Sequence, residues 1–141
     1  VDAKQVQGSR AEQPSCRRLL RITLFSFGFK HGYAEADMVW DVRFLPNPYW
    51  VAELKESTGR EPATAAYVLA NRVGREFLAR IESVLLFLVE QYRAGGRTDL
   101  RLAIGCTGGR HRSVAVTEHL RRFFADLPVE LLVFHRDIDR R

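Results

Sequence analysis

LRLAIGC (residues 100–106), TGGRHR (107–112), SVAVTEHLRRFFAD (113–126) and VELLVFH (129–135) follow one another with almost nothing between them. The first is a short apolar run that reads as a buried strand, and the fourth reads the same way. Between them, Val116, Leu120, Phe123, Phe124 and Leu127 recur at helical spacing, which predicts a helix over 112–126 closed by Pro128. Strand, tight turn, helix, strand is an α/β alternation, and its simplest packing is a mainly parallel sheet covered by helices. In such sheets ligands sit beyond the carboxyl ends of the strands, which places the 106–112 turn at the ligand edge.

Working outward, residues 74–93 form the clearest helix. Phe77, Ile81, Val84, Leu85, Leu88 and Tyr92 share one face, and Gly95-Gly96 ends it. A shorter helix is predicted over 61–72, with Pro62 in its first turn. Residues 19–27 (LLRITLFSF) read as a buried strand. Residues 36–44 (ADMVWDVRF) alternate, with Met38, Trp40, Val42 and Phe44 on one face and Asp37, Asp41 and Arg43 on the other, so they read as a strand stopped by Pro46-Asn47-Pro48. The expected architecture is a single α/β domain over 19–141 with a mainly parallel four-stranded sheet. Residues 1–18, rich in Gln, Ser, Gly and Arg, read as a linker or flexible tail.

With 141 residues and 46% hydrophobic composition, the chain can bury a core without staples. The longest unbroken aliphatic and aromatic run, Val84 to Val89, is far too short to span a bilayer, and no apolar stretch precedes Leu19, so neither a membrane segment nor a signal peptide is expected. The two cysteines, Cys16 and Cys106, suggest neither a disulfide framework nor a zinc ribbon. A reducing cytoplasm is the expected setting, with no metal. The net charge of +5 is concentrated toward both ends of the chain, which favours an anionic partner.

The chemistry concentrates in the glycine loop. Gly108 and Gly109 let the backbone turn so that several N–H groups point inward, and the start of the 112–126 helix adds partial positive charge. Arg110, His111 and Arg112 add cationic character, and Thr107 and Ser113 offer hydroxyls. The loop is built to hold a phosphate or another oxyanion. Cys106, Gly109, Arg112 and Ser113 also spell C-x-x-G-x-x-R-S, similar to the signature loop of cysteine-dependent phosphatases. There a thiolate attacks phosphorus and the arginine clamps the equatorial oxygens. That reading lacks the usual His before the cysteine, where Gly105 stands, and its acid would have to be Asp41. No enzymatic activity is therefore expected, with a Cys106-dependent phosphatase as the alternative.

Three separated motifs occur in order: Ser26-Phe-Gly-Phe-Lys-His-Gly32, Asp41-Val-Arg-Phe-Leu-Pro-Asn-Pro48 and Gly105-Cys-Thr-Gly-Gly-Arg-His-Arg-Ser-Val114. Together they resemble the C-terminal domain of the RapZ family of RNase adapter proteins, from about residue 20 to the tail. No G-x-x-x-x-G-K-[ST] stretch is present, so the family's N-terminal P-loop nucleotide-binding domain is absent from this chain. The resemblance implies a domain that binds a small RNA, hands it to an endoribonuclease, forms homo-oligomers and senses a phosphorylated metabolite such as an amino-sugar phosphate. It maps the ligand site onto Cys106 through Ser113 and onto the loop from Asp41 to Trp50. There Asp41, Arg43, Asn47 and Tyr49 are the candidates. Tyr49 stands where some relatives have His, and it can hydrogen-bond but cannot become cationic.

Residues outside the loop carry more than one reading. Lys30 and His31 lie in a Gly-flanked loop at a strand end and can reach an anion there. Asp41 and Arg43 either pair as a buried salt bridge or orient the ligand and loop arginines. Asn47 is a turn former or a ligand contact. Trp40 and Trp50 read as core or interface rather than as base-stacking platforms, and His119 as a satisfied surface or core residue. Arg121, Arg122, Arg136, Arg140 and Arg141, with Arg110, can form a positive stripe for an RNA backbone, weakened by Asp137 and Asp139. Lys30 and His31 belong to the same RNA-binding set.

Overall fold

The structure, a computed structural model, describes residues 19–141. The expected tail at 1–18, with Cys16, lies outside the described residues. The elements are β1 (Leu20–Gly28), β2 (Met38–Asp41), α1 (Pro62–Leu69), α2 (Arg72–Ala94), β3 (Asp99–Cys106), α3 (Arg112–Ala125) and β4 (Val129–His135), with single 3-10 turns at Phe29–His31 and Pro48–Trp50. The four strands form one sheet in the order β2-β3-β1-β4, and every pairing is parallel.

The alternation of β1 splits its side chains between two faces. Leu20, Ile22 and Leu24 join the main core with Leu100, Leu102 and Ile104 of β3 and the inner faces of the helices. Phe25 and Phe27 form a smaller cluster on the opposite face with Ala103, lined by Phe29, Ala34 and Ala36 from the loop after β1. The helices therefore cover one face of the sheet. Leu132 and Phe134 of β4 stay exposed on the other, where Phe134 stacks on Phe25 at 4.8 Å.

Local signals account for the helix ends. The Asn71 side chain accepts from the Gly74 N–H at 2.8 Å and caps α2. Gly74 is required there, since a Cβ would sit 2.5 Å from the Leu69 carbonyl oxygen as α1 folds back onto α2. Ile81, Leu85 and Val89 carry the buried face of α2, and Val84 points outward instead of sharing it. The first half of α3 is buried almost all round, because α1 covers the side that the sheet does not.

The strand expected over 36–44 is shorter. Ladder pairing covers Met38–Asp41, and the Val42 N–H makes one more bond to Gly105 O. The Leu45 N–H then turns back onto Val42 O, which takes Phe44 off the core face. Phe44 is 55% exposed and packs edge-to-face on Phe77 at 5.1 Å. Trp50, expected in the core or at an interface, is not in the core: it is 79% exposed.

A polar chain crosses the core behind β4. The Ser26 hydroxyl lies 2.7 Å from His135 Nδ1, and His135 Nε2 lies 2.6 Å from Glu118, which also accepts from Arg121. The composition is that of a hydrolase triad, but Ser26 is fully buried and offers no access to a substrate. Burial pushes the His135 imidazole below its ordinary value, although Glu118 pulls the other way and Arg60 and Arg121 assist the lowering. Burial lowers His111 as well, helped by Arg110 and Arg112. The folded protein therefore holds both rings neutral, and as the pH falls below about 6.5 the unfolded chain takes up protons first. Urea unfolding is expected to show lower stability at about pH 5.5 than at about pH 7.5, with a shallower dependence in His135→Gln. Equal stability at both values would contradict this.

Candidate anion-binding site

In the strand order β2-β3-β1-β4, the chain leaving β1 passes β3 on one face of the sheet to reach β2, and the chain leaving β3 passes β1 through α3 on the other face to reach β4, so the two connections part to opposite faces at the carboxyl ends of the neighbouring strands β1 and β3. Such a point opens a crevice. Gly28 and Cys106 are register partners there. Into this crevice opens a cavity of about 460 Å³.

Its floor is the turn from Cys106 into α3. Gly109 adopts φ of +80°, and a Cβ on it would sit 2.6 Å from Gly28 N and 2.9 Å from Asp137 Cβ. Gly28 is equally constrained: its Cβ would meet the Gly108 carbonyl carbon at 2.4 Å. The two glycine segments thus pack backbone to backbone, held by the Lys30 N–H on Thr107 O at 3.1 Å. On the far side, Gly59 donates its N–H to Arg110 O at 2.8 Å and packs against His111 O and Ala115 N. Among the described residues, the N–H groups of Thr107 to His111 donate to no protein acceptor. They gather at the N-terminus of the 14-residue α3, where the helix dipole adds positive potential.

Arg112 is 6% exposed and lines the cavity. Its Nη1 donates to Arg43 O at 2.7 Å and its Nη2 reaches Thr107 Oγ1 at 3.3 Å. Its Nε is buried and has no partner among the described residues. An unpaired donor on a buried guanidinium is costly, and an anion in the cavity can satisfy it. Beneath, Cys106 is buried and its Sγ–H donates to Ser113 Oγ at 3.1 Å. His111 Nε2 donates to Lys55 O at 3.1 Å.

The structure brings most of the expected residues together. Cys106, Thr107, Gly108, Arg110, His111 and Arg112 line the cavity from the loop, Asn47 and Tyr49 from the segment after β2, and Lys30 and Arg141 from the rim. Gly109 and Ser113 stand behind the floor. Asp41 and Arg43 do not line the cavity. They pair at 2.6 Å, half exposed rather than buried, and Arg43 contributes its carbonyl to Arg112. The Arg43 guanidinium holds the Asp41 carboxyl below its ordinary value, so Asp41 stays ionised. Asn47 acts as a turn former as well as lining the cavity: its side chain accepts from the Tyr49 N–H at 3.1 Å. His31 does not line the cavity. Trp50, Lys55 and Glu56 do: Trp50 ends the mapped loop but was not among its named candidates, and sequence reasoning missed Lys55 and Glu56 altogether. Residues 51–60 carry no periodic signal, and an aromatic next to Pro-Asn-Pro-Tyr reads as packing.

The basic tail is placed differently from an open stripe. Asp137 is fully buried and accepts from Gly28 N–H at 2.7 Å, from Arg136 Nη2 at 2.8 Å and from Arg140 Nη1 at 3.0 Å. Burial alone would raise its carboxyl, but these donors outweigh it and hold the group below the ordinary range. Asp137 thus organises the tail instead of merely diluting its charge. Arg110 bonds Ile138 O, and Arg141 pairs with Glu56 at the cavity rim. Arg121 pairs with Glu118, and Arg122 stands exposed on α3.

The sequence model of the RapZ C-terminal domain matches residues 20–139. The chain is 47% identical over 138 residues to a nucleotide-binding protein of Geobacter sulfurreducens, covering 97% of this chain and 48% of that protein. It is 44% identical over 129 residues to one of Caldicellulosiruptor bescii (91% and 44%), and 48% identical over 122 residues to one of Thermobifida fusca (86% and 42%). The chain spans less than half the length of these curated relatives. Among the described residues no helix is long and apolar enough to cross a membrane. The three motifs, the crevice they build together and the match over residues 20–139 lead to one conclusion: this chain belongs to the RapZ C-terminal domain family.

Proposed function

We propose that this domain is a regulatory, RNA-binding adapter module that senses a small phosphorylated metabolite in the Cys106–Ser113 crevice. The observation that carries the ligand half is the unpaired, buried Nε of Arg112 beside the undirected N–H groups of Thr107 to His111. A phosphate monoester supplies the acceptors that these donors lack. An amino-sugar phosphate fits the mixed rim, where Glu56 offers a carboxylate beside Lys30, Lys55 and Arg141. The RNA half rests on family membership and on cations at the cavity rim, on the tail and on α3. In a longer protein the module would present a small RNA to an endoribonuclease, as part of a homo-oligomer in the cytoplasm. Contact would run through the phosphate backbone, so RNA affinity should fall steeply with salt.

Calorimetric titration with glucosamine 6-phosphate tests the site. Arg112→Ala and the exposed Lys30→Ala should each weaken binding about tenfold or more. Undiminished affinity in both variants would remove the crevice as the site. The domain is proposed to bind without catalysis. The rival phosphatase reading needs a protonated acid near Cys106, and the ionised Asp41 held by Arg43 cannot donate. Aryl phosphate turnover that vanishes in Cys106→Ser would promote that rival.

A further inference from the structure

The two edges of the sheet differ. β2 closes one with four residues. β4 closes the other with seven, Val129–His135, and no proline, glycine or lysine interrupts it. Such residues usually blunt a long edge, whose unpaired N–H and C=O groups otherwise template another strand. Arg136 donates its N–H to Ser26 O at 2.9 Å, so the even-numbered residues of β4 turn their backbone groups toward β1. By strand alternation Leu131, Val133 and His135 turn theirs outward, where no further strand lies among the described residues. Val129 faces the same way, but its N–H is spent on Leu127 O at 2.8 Å.

The open face of this strand is apolar in the middle and charged at its ends. Leu132 is 56% exposed and Phe134 39%. Glu130 stands before them, 3.5 Å from Arg21, and Arg136 after them, bonded to Gly32 O at 2.7 Å. We infer that β4 pairs with β4 of a second copy of this chain, antiparallel about a two-fold axis at Val133. In that register Val133 exchanges backbone bonds with the partner's Val133, and Leu131 with the partner's His135. The three residues with free outward groups are all used, and Val129 falls outside the ladder. On the open face Leu132 meets the partner's Phe134, and Glu130 meets the partner's Arg136. Apolar thus faces apolar, opposite charges face each other at both ends, and like charges face nowhere. A register shifted to centre on Leu131 would instead set the Glu130 carboxylate against the partner's Leu132. This inference rests on the homo-oligomer reading and gives it an interface, apart from the anion cradle.

Sedimentation equilibrium of the chain tests it. A dimer is expected, and the exposed Leu132→Lys should raise its dissociation constant about tenfold or more. Cross-linking tests the register. A copy carrying Leu132→Cys mixed with a copy carrying Phe134→Cys, both with Cys16→Ser, should form a disulfide-linked dimer under mild oxidation, and either copy alone should form little. Facing residues of this kind lie about 4.5 Å apart between Cα atoms, within disulfide reach. A dimer that ignores Leu132→Lys and forms no mixed disulfide would overturn the edge pairing and leave the homo-oligomer reading standing. A monomer at every concentration, with or without residues 1–18, would defeat both for this domain. A monomer that dimerises only once residues 1–18 are removed would show that the chain's own segment occupies the edge, and would overturn the second copy as its partner.

Discussion

Asp137→Ala is expected to cost about 2–3 kcal/mol of folding free energy, because the Gly28 N–H is left buried without an acceptor while the partly exposed Arg136 and Arg140 can turn to water. Three donors lose their acceptor at once: the Gly28 N–H, Arg136 and Arg140. The Gly28 amide lies at the carboxyl end of β1, under the turn that forms the cavity floor, so the damage is not confined to the tail. Urea denaturation measures the loss, and phosphate titration of the folded fraction should show weakened binding. Asp137→Asn separates charge from hydrogen bonding. It keeps an acceptor for Gly28 but gives up the attraction to the two guanidiniums, so its loss should be smaller. A change under about 1 kcal/mol in Asp137→Ala would mean that the clamp is replaceable by water.

Gly28→Ala is expected to weaken anion binding with a moderate loss of stability, about 1–3 kcal/mol, as an overpacked site does. The added Cβ would lie 2.4 Å from the Gly108 carbonyl carbon, 2.5 Å from its oxygen and 2.8 Å from the Gly109 nitrogen. All three are backbone atoms and cannot rotate away, so the loop that presents the amides has to move. Displaced donors make poor hydrogen bonds, and affinity for a phosphate monoester should fall on the order of tenfold or more. Gly96→Ala is the matched control. Gly96 has φ of +80° but open space around its Cβ position, so it carries conformational strain alone, about 1 kcal/mol, and leaves binding unchanged. Equal phosphate affinity in Gly28→Ala and the unaltered domain would show that the two loops are not packed as described.

Much of this was legible from local pattern, for physical reasons. Period-2 runs such as LRITLFSF and the helical spacing of Ile81, Leu85 and Val89 record burial directly, so the α/β order could be read in one dimension. The glycine loop was legible too, because a turn that presents amides at a helix start needs glycine and favours basic neighbours. Where periodicity misled, tertiary packing had overruled it. The strand over 36–44 ended early because the Leu45 N–H turned back to Val42 O, and Phe44 left with it for Phe77.

The chain's residues by themselves determined the fold class, the place of the glycine loop and the family. Each depends on neighbours in sequence: hydrophobic period, turn residues and three contiguous motifs. Only the tertiary structure decided what the site is made of beyond that loop. Trp50, Lys55 and Glu56 reach the cavity from a stretch without periodicity, roughly 50 residues before the loop they face. Asp137 turned from a charge diluting a basic tail into the anchor that seats Gly28 against Gly109. Asp41 and Arg43 left the ligand for each other. Which charges neutralise one another, and which aromatic stays in water, depends on distances between segments far apart in the chain. No local pattern encodes those distances.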